Sequence, residues 1–207
     1  MKLKLLTTIA FLYLTQFANA QYYLQWQNTI GGNDYELTYS NLIVTTGGYL
    51  FGGTSFSNVS GDKSENSNGF EDYWIIKIDT LGNIVWQNTI GGSGHDMLTC
   101  IISTSNGGFL LGGWSDSPIS GDKTVDSKGS YDYWILKIDS LGNIVWQNSI
   151  GGSSADYLSS ISLSIDGGFL LGGYSASSIS GDKTEGCNGF WDYWVVKIDS
   201  VGNIVWE

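Results

Sequence analysis

The sequence repeats itself with a fixed period of 60 residues. Two series of tryptophans mark the period at two positions of the unit. They are Trp26, Trp86, Trp146 and Trp206, and Trp74, Trp134 and Trp194. Glycine doublets at 47–48, 107–108 and 167–168 keep the same spacing. A constant period of this length indicates a repeat architecture, in which each unit buries its apolar faces against its neighbours.

The unit 86–145 predicts four short strands and no helix, because its apolar runs are rich in β-branched and aromatic residues and are separated by glycine-rich turns. The four runs are 96–104, 109–115, 133–139 and 144–150. Asn106-Gly107-Gly108 between two of them is typical of a tight hairpin. The doublet Gly112-Gly113 inside the second strand predicts a bulge or a close approach of two backbones. We expect the polar residues 116–131 to form a loop before the third strand.

The third strand is apolar on both faces. Trp134 and Ile138 point to one side of the predicted sheet, and Tyr133 and Ile135 point to the other. Such a strand has to be covered on both sides, which a stack of sheets achieves and a single solvated sheet does not. β-Propellers and, less often, linear solenoids stack repeated four-stranded sheets. We therefore predict an all-β, propeller-like array of four-stranded antiparallel blades.

The predicted array occupies residues 21–207 and contains three complete units. The units are 26–85, 86–145 and 146–205. Ring propellers typically have about four to eight blades, so three blades make an incomplete ring. An open arc is expected to expose an apolar sheet face at each end, and such faces mark interaction sites. We expect either further blades outside this sequence or self-association, for example two chains that together complete six blades.

The first 20 residues have the pattern of a cleaved signal peptide. Lys2 and Lys4 precede an apolar run at 5–17, and Ala18-Asn19-Ala20 has the small-x-small form of a signal peptidase site. The run is shorter than the ~20 apolar residues of a membrane-spanning helix. We expect residues 1–20 to be removed and the mature chain to be secreted or held at the cell surface, with no membrane span.

The chain has no arginine, and its formal net charge is −11. Loss of Lys2 and Lys4 with the signal would change that charge to −13. Binding of nucleic acid depends on clustered lysine and arginine, so this composition argues against a nucleic-acid partner. It argues equally against docking on anionic lipid.

Two cysteines, Cys100 and Cys187, lie at different positions of the repeat. An exported chain can form a disulfide. The other two units have serine at both positions, however, so the fold does not need the bridge. No cysteine and histidine spacing typical of a zinc site is present.

Two resemblances support the blade interpretation. The segment Phe109-Leu110-Leu111-Gly112-Gly113 is followed by Tyr133, an apolar run ending at Asp139, then Gly142 and Trp146, and this order resembles a kelch-type propeller blade. Kelch blades usually carry an arginine near the first strand, so here the resemblance extends to blade topology alone.

The sequence 25–206 more closely resembles the repeats of secreted and surface proteins of Bacteroidota. The resemblance rests on Trp-Gln-Asn-Thr-Ile-Gly-Gly at the start of a unit, Ser-Gly-Asp in its loop and Asp-Tyr-Trp-Ile-x-Lys-Ile-Asp in its third strand. It implies a propeller in an exported protein. Such proteins often end in a sorting domain for type IX secretion, and we expect no such domain within 21–207, since the repeats occupy these residues. The family has no common catalytic motif.

Aspartates recur at two positions next to the predicted loop. They are Asp62, Asp122 and Asp182 in the motif Ser-Gly-Asp-Lys, and Asp72, Asp132 and Asp192 at the start of the third strand. Calcium takes about six to eight oxygen ligands, which such loops could supply. The same residues also form turns, in which their carboxylates accept hydrogen bonds from nearby backbone amides. The lysine that ends each motif would repel a cation, which favours the structural interpretation. Calcium is the only cofactor that the sequence suggests.

The aromatic residues fall into a repeated set and an unrepeated set. We expect the repeated tryptophans to pack between blades; they are Trp74, Trp86, Trp134, Trp146, Trp194 and Trp206. Trp114, Tyr131 and Trp191 break the repeat and lie in or beside loops, where exposed rings could stack on sugars. Packing within the loops is the alternative interpretation. The lone histidine, His95, is also unrepeated, and we expect it to be solvent-exposed.

No nucleophile–histidine–acid set or metal spacing is visible in the sequence. The leading hypothesis is therefore an exported, non-catalytic scaffold for binding or adhesion, with a protein or glycan ligand. One alternative is a glycan-processing enzyme with carboxylates at the mouth of a propeller, since two acids of a folded chain can converge. The other alternative is a purely structural spacer. Retention on polysaccharides without product would distinguish the first hypothesis from both alternatives.

Overall fold

The computed structural model describes residues 26–43, 47–105 and 107–207. The predicted signal peptide, 1–20, lies outside these ranges. The described part forms twelve strands and no helix. The strands are β1 (Glu36–Ile43), β2 (Tyr49–Ser55), β3 (Asp72–Ile78), β4 (Ile84–Ile90), β5 (Asp96–Ser103), β6 (Phe109–Ser115), β7 (Asp132–Ile138), β8 (Ile144–Ile150), β9 (Asp156–Leu163), β10 (Phe169–Ser175), β11 (Asp192–Ile198) and β12 (Ile204–Trp206). Within the described ranges no helix is long and apolar enough to cross a membrane.

The strands form three four-stranded antiparallel sheets, which confirms the predicted all-β blades. β1–β4 form blade 1, β5–β8 form blade 2 and β9–β12 form blade 3, each with its strands in sequence order. Two of the four strands predicted for the second unit have the observed bounds, and the other two differ by one residue at their ends. Blades 1 and 2 take most of their fourth strand from the following 60-residue unit, since β4 and β8 run past the unit boundaries at Trp86 and Trp146.

A turn held by an aspartate joins the third and fourth strands of each blade. In blade 2, Oδ1 of Asp139 accepts hydrogen bonds from the backbone N–H groups of Leu141 and Asn143, at 2.8 and 2.9 Å. Gly142 has a φ of 93°, which glycine adopts without steric cost. The bond from the Asn143 side chain is the largest of the effects that lower the pKa of Asp139. The aspartate that closes the third strand is therefore a turn former.

The glycine doublet of the second strand allows two close approaches. A Cβ on Gly113 would lie 1.9 Å from the backbone oxygen of Met97, so a side chain does not fit there. A Cβ on Gly112 would lie 2.6 Å from a methyl carbon of Leu158 in blade 3. The pairing of β5 with β6 also shifts by one residue opposite the doublet. The predicted bulge and the predicted close approach are both confirmed, with the extra residue on the first strand.

The core lies between the blades, and the third strand contributes to it from both faces. All seven residues of β7 are buried. Trp134 and Ile138 belong to the apolar cluster shared with blade 1, whereas Tyr133 and Ile135 belong to the cluster shared with blade 3. This confirms the division of the two faces predicted from the sequence. Most of the apolar surface of a unit is therefore covered by the units before and after it, as in other repeat proteins.

The three blades form an open arc. β1 contacts β5, and β5 contacts β9. Among the described residues, β4, β8 and β12 do not contact one another. The first strands therefore lie together on the inside of the arc and the fourth strands diverge on the outside, as in a propeller that is not closed into a ring.

The two ends of the arc differ, although the sequence predicted an exposed apolar face at each. At blade 1, Trp74, Ile76 and Ile78 are buried, because Trp26 and Ile30 pack against them. At blade 3, Tyr193, Val195 and Leu170 are exposed, as predicted. The expectation is therefore wrong for the third strand of blade 1, because the segment before β1 packs on its apolar residues.

Cys100 and Cys187 are free thiols and do not bond to each other. Burial raises the pKa of the Cys100 thiol to about 11, so it stays protonated at neutral pH. Cys187 donates to the backbone oxygens of Ser175 and Ser177, at 3.0 and 3.3 Å. Ser127 makes the equivalent contacts in blade 2. Cys187 thus replaces a structural serine.

Candidate functional site

One edge of the three blades collects positions at which the repeat varies. We call this edge the rim: first and third strands begin there and second strands end there, as the pairing of Asp96 with Ser115 and of Ser115 with Asp132 shows. Four sets of equivalent positions at the rim hold different side chains in the three units. They are Tyr35, His95 and Ala155; Leu37, Met97 and Tyr157; Thr54, Trp114 and Tyr174; and Glu71, Tyr131 and Trp191. Variable side chains on a constant framework are typical of a binding surface.

Six aromatic side chains make contact at the rim of blades 2 and 3. This aromatic cluster consists of Trp114, Tyr131, Tyr157, Tyr174, Phe190 and Trp191. The ring of Tyr157 is central: its centre lies 5.1 Å from that of Trp114 and 5.5 Å from that of Trp191. It also stacks on Tyr131, with centres 5.5 Å apart and planes inclined by 28°. These spacings are those of favourable aromatic pairs, so the rings hold one another in place.

Part of the cluster reaches solvent. The exposed fractions are 80% for Phe190, 42% for Tyr174 and 40% for Trp191. Trp114 and Tyr131 are half-buried beneath their neighbours. The cluster therefore offers ring surface to a ligand while its inner rings fix the outer ones.

The structure brings together the three unrepeated aromatic residues that the sequence singled out, Trp114, Tyr131 and Trp191. Each of the three rings contacts Tyr157. The sequence analysis did not identify Tyr157, Tyr174 or Phe190 as members of the site. The signal was present for two of these, since Tyr157 stands where the other units have leucine and methionine, and Tyr174 where they have threonine and tryptophan. Their convergence depends on how one blade is placed against the next, which a strand pattern does not give.

At the junction of blades 1 and 2, the rim holds a histidine–glutamate pair instead. Nδ1 of His95 lies 2.6 Å from Oε2 of Glu71. The imidazole stacks on Phe70, with ring centres 4.6 Å apart and planes inclined by 12°. The expectation of a solvent-exposed histidine holds only in part: 36% of the side chain is exposed, and Glu71 and Phe70 cover the rest. The rim therefore carries a histidine–glutamate pair at one junction and an aromatic cluster at the next.

In blades 2 and 3, the aspartate of the Ser-Gly-Asp-Lys motif bonds to the preceding blade. Oδ2 of Asp122 in blade 2 accepts hydrogen bonds from the backbone N–H of Gly91 and from the side-chain amide of Asn68, at 3.3 and 2.9 Å. The equivalent bonds run to Asp62 from Gly31 at 3.2 Å and to Asp182 from Gly151 at 3.0 Å. Asp182 also pairs with Lys128. Each of these carboxylates thus accepts a hydrogen bond from a backbone amide, which is the contact that the structural interpretation of the motif expects.

A lysine ammonium lies inside each of these loops. Lys123 is buried, and its Nζ donates to the backbone oxygen of Ser117 at 2.7 Å and to Oγ of Ser127 at 2.8 Å. Burial lowers the pKa of Lys123, while the nearby Asp96 and Asp132 carboxylates raise it. Lys63 and Lys183 are also buried. In the described ranges no group of three or more His, Cys, Asp or Glu side chains is arranged to hold a metal ion.

The aspartates that open the third strand are buried beneath the rim in blades 1 and 2. Asp72 and Asp132 each accept a backbone N–H bond with Oδ2, from Asn68 and Lys128. Their Oδ1 atoms are buried and have no partner among the described residues. Burial raises the pKa of Asp72 to about 7 and that of Asp132 to about 6. Asp192, the equivalent residue of blade 3, is only half-buried.

We expect the folded chain to be more stable near pH 5 than near pH 8. The pKa values of Asp72 and Asp132, about 7 and about 6, exceed the ordinary value of 3.8. The folded state therefore keeps these protons to higher pH than the unfolded chain does. The resulting stability is complete below about pH 4 and is lost as the pH rises through the folded pKa values.

Calorimetric unfolding temperatures across this pH range would test the expectation. The double variant Asp72→Asn, Asp132→Asn keeps an oxygen that accepts each backbone bond and should show a weaker dependence on pH. A native chain that becomes more stable between pH 5 and pH 8 would contradict the assignment of these carboxyls.

The repeated tryptophans lie in two layers. Those of the third strand are buried and donate Nε1 to a side chain of the fourth strand or, in blade 3, of the residue that follows it. The pairs are Trp74 with Gln87 at 3.0 Å, Trp134 with Gln147 at 3.1 Å and Trp194 with Glu207 at 2.6 Å. Trp86 and Trp146 are half-buried against the turn glycines Gly142 and Gly202 of the next blade. Trp206 is exposed, since no blade follows it in the described arc.

Comparison with known proteins gives no assignment. No family model matches the chain, and no curated protein matches it. The function therefore has to be inferred from the chemistry of the rim.

Proposed function

We propose that the chain is an exported, non-catalytic binding scaffold whose aromatic cluster binds carbohydrate. The proposal rests on the convergence of six aromatic rings at the rim, where three of them expose ring surface. Aromatic rings present broad apolar faces, against which the C–H faces of sugar rings can lie. The cluster extends over two blades along an open edge, which suits a polymer chain better than a small enclosed ligand.

Hydroxyl groups beside the ring faces can bond to a sugar. Tyr131, Tyr157 and Tyr174 each bring a phenol to the cluster. Burial and the nearby charge of Asp116 raise the pKa of Tyr131, so its hydroxyl is a donor at neutral pH. Binding sites commonly combine an apolar surface with a few such polar groups that fix orientation.

The burial and hydrogen-bond partners of the acids at the rim favour a binding role over glycan processing. Glycoside hydrolysis needs two carboxyl groups that reach the same bond. Asp72 and Asp132, whose pKa values burial raises to about 7 and about 6, are completely buried. Nearer the cluster, Glu71 bonds to the His95 ring and Asp116 accepts the His95 backbone N–H at 2.6 Å. These contacts occupy the acids that an enzyme would need.

Export is supported by the signal-peptide pattern and by the resemblance to repeats of secreted and surface proteins of Bacteroidota. The acidic, arginine-free composition suits a soluble scaffold outside the cell. Carbohydrate polymers are found at cell surfaces, so an exported chain would encounter such a ligand there.

Affinity electrophoresis of the purified chain, in gels that each contain one of a panel of neutral polysaccharides, tests the proposal. We expect at least one polysaccharide to retard the chain without forming shortened products. Trp191→Ala should weaken that retention by roughly tenfold or more, since large aromatic anchors carry most of the energy of such contacts. Tyr35→Ala is the control, because Tyr35 is an exposed rim residue of blade 1 outside the aromatic cluster.

The proposal fails if no polysaccharide retards the chain, which is the result expected of a structural spacer. It also fails if sugar products form, which is the result expected of an enzyme. Equal loss in Trp191→Ala and Tyr35→Ala would place any binding outside the aromatic cluster.

A further inference from the structure

A row of variable positions crosses both blade junctions along the rim. At the junction of blades 1 and 2, Glu71 forms a β-bridge with His95. At the junction of blades 2 and 3, Tyr131 forms the equivalent bridge with Ala155. Both bridges are parallel, so the two junctions are built in the same way and differ in the side chains that they carry.

Asp116 links the two junctions within blade 2. Its backbone N–H donates to the His95 oxygen at 3.1 Å. The residue before it, Ser115, pairs with Asp132 on the neighbouring strand, which places Asp116 beside Tyr131. Tyr131 belongs to the aromatic cluster. The row therefore leads from the first junction to the aromatic cluster without a gap.

The repeat is constant directly beneath this row and variable within it. The positions beneath hold serine at 55, 115 and 175 and aspartate at 72, 132 and 192. In the row, the position of Asp116 also differs between the units, since it holds Phe56 in the first unit and Ala176 in the third. Successive blades thus offer different chemical groups along one continuous line.

The blade 1 end of the row carries a second flat surface, which consists of Phe70 and His95. The two rings stack with centres 4.6 Å apart and planes inclined by 12°. Phe70 is 64% exposed, so the ring face turned away from His95 is open to solvent. Phe70 also occupies the repeat position of Phe190, the most exposed member of the aromatic cluster. The C–H face of a sugar can lie on such a ring.

The imidazole of His95 offers a polar atom next to this ring face. Nδ1 of His95 lies 2.6 Å from Oε2 of the buried Glu71, which fixes the orientation of the ring. Nε2 lies on the other side of the imidazole, and 36% of the side chain is exposed. A hydroxyl group both donates and accepts hydrogen bonds, so it can bond to Nε2 in either protonation state of His95. The pair therefore combines an apolar face with an oriented polar atom, as ligand sites commonly do.

We propose that Phe70 and His95 form a second sugar subsite, and that the rim binds a linear, neutral polysaccharide that lies across both blade junctions. This inference rests on the proposed carbohydrate binding, since it extends the same site from the aromatic cluster to blade 1. Glu71 and Asp116 place two carboxyl groups along the row, and the chain has a net charge of −11. A polyanionic polysaccharide would be repelled, so the ligand is neutral.

Two subsites on one line make the binding strength depend on the length of the sugar chain. A short oligosaccharide occupies one subsite. A longer chain that is bound at one subsite meets the other at a high effective concentration, so its affinity is higher. Loss of the second subsite should remove this gain and leave the affinity for a short oligosaccharide unchanged.

Affinity electrophoresis in gels that contain hydroxyethyl cellulose, galactomannan, arabinoxylan or laminarin is the first test. Phe70→Ser copies Ser130 of the second unit, and His95→Ala copies Ala155 of the third. Both variants should weaken retention by the polysaccharide that retards the native chain, Phe70→Ser by roughly tenfold, since it removes an exposed aromatic contact. Leu81→Ser is the control and should change nothing, because Leu81 is an exposed apolar residue of blade 1 at the edge opposite the rim. Alginate, a polyanion, should not retard the native chain.

Isothermal titration calorimetry with oligosaccharides released from the retarding polysaccharide distinguishes two subsites from one. The native chain should bind longer oligosaccharides more tightly than a trisaccharide. Phe70→Ser should bind the trisaccharide as the native chain does, which also shows that the variant is folded, and should lose most of the gain with length. Trp191→Ala should weaken the binding of short and long oligosaccharides alike, because Trp191 belongs to the aromatic cluster.

Retention of Phe70→Ser equal to that of the native chain would overturn the second subsite and leave carbohydrate binding by the aromatic cluster intact. Equal losses for short and long oligosaccharides in this variant, or a native affinity that does not change with length, would mean that the rim has one subsite. Retention by alginate would overturn the assignment of a neutral ligand. If no polysaccharide retards the native chain, the proposed function fails, and the second subsite fails with it.

Discussion

Tyr133→Ala is expected to lower the free energy of unfolding by about 3–5 kcal/mol, the usual range for truncating a buried aromatic residue. Tyr193→Ala, the same change one unit later, is expected to lower it by less than about 0.5 kcal/mol in the monomer. The exposed fraction is 0% for Tyr133 and 93% for Tyr193. Tyr133 also packs on Trp194, with ring centres 5.0 Å apart, and donates to the Trp194 backbone oxygen at 3.1 Å. Tyr133→Ala removes both the packing on Trp194 and this hydrogen bond.

Urea unfolding followed by tryptophan fluorescence would measure the difference, at a concentration low enough for the chain to stay monomeric. Each blade is stabilised by its neighbours, so Tyr133→Ala should also uncouple blade 3 from blade 2 and broaden the transition. The two substitutions share residue type, strand position and neighbouring sequence. Equal losses would therefore mean that the interface between blades 2 and 3 does not stabilise the fold.

The repeat and its strand pattern were enough to predict most of the fold. Apolar residues on both faces of 133–139 required a sheet on each side, and the structure shows Trp134 facing blade 1 and Tyr133 facing blade 3. These predictions succeeded because they depend on the period of two in a strand and on the need to bury apolar surface. They depend little on the angle between blades.

The aromatic cluster could be predicted only in part, because its members belong to different blades. Tyr157 lies beside Trp114 across a blade junction, and the sequence separation of 43 residues gives no sign of this contact. The covering of blade 1 was missed for a similar reason. The sequence predicts that Trp26 and Ile30 belong to a partial fourth strand. Their packing against Trp74 depends on where the chain turns before β1, which the sequence does not give.

The lysine of the Ser-Gly-Asp-Lys motif also could not be understood from its sequence. A lysine next to an aspartate is usually solvated, and the sequence suggested only that it would repel a cation. In the structure the ammonium of Lys123 lies within the loop and bonds to Ser117 and Ser127. The aliphatic part of a lysine can be buried while its ammonium finds polar partners. Here the partners are inside the protein, so the whole side chain is buried.

Lys123→Ala is accordingly expected to lower the free energy of unfolding by about 2–4 kcal/mol, because it removes two buried charge-assisted hydrogen bonds and the packing of the lysine stem. Its Nζ lies 5.9 Å from the centre of the Trp134 ring, so a cation–π contact is lost as well. The backbone oxygen of Ser117 would lose a donor, and Asp96 and Asp132 would lose their nearest buried positive charge.

Two further variants separate these effects in the same urea measurement. Lys128→Ala removes a surface pair with Asp182 and should cost no more than about 1 kcal/mol. Lys123→Met keeps most of the stem and removes the charge, so it should fall between the other two if the hydrogen bonds and the packing both contribute. If Lys123→Ala costs no more than Lys128→Ala, the buried ammonium does not hold the loop together. The loop would then depend on its backbone bonds alone, such as that from the Asp122 N–H to the Gly91 oxygen at 2.8 Å.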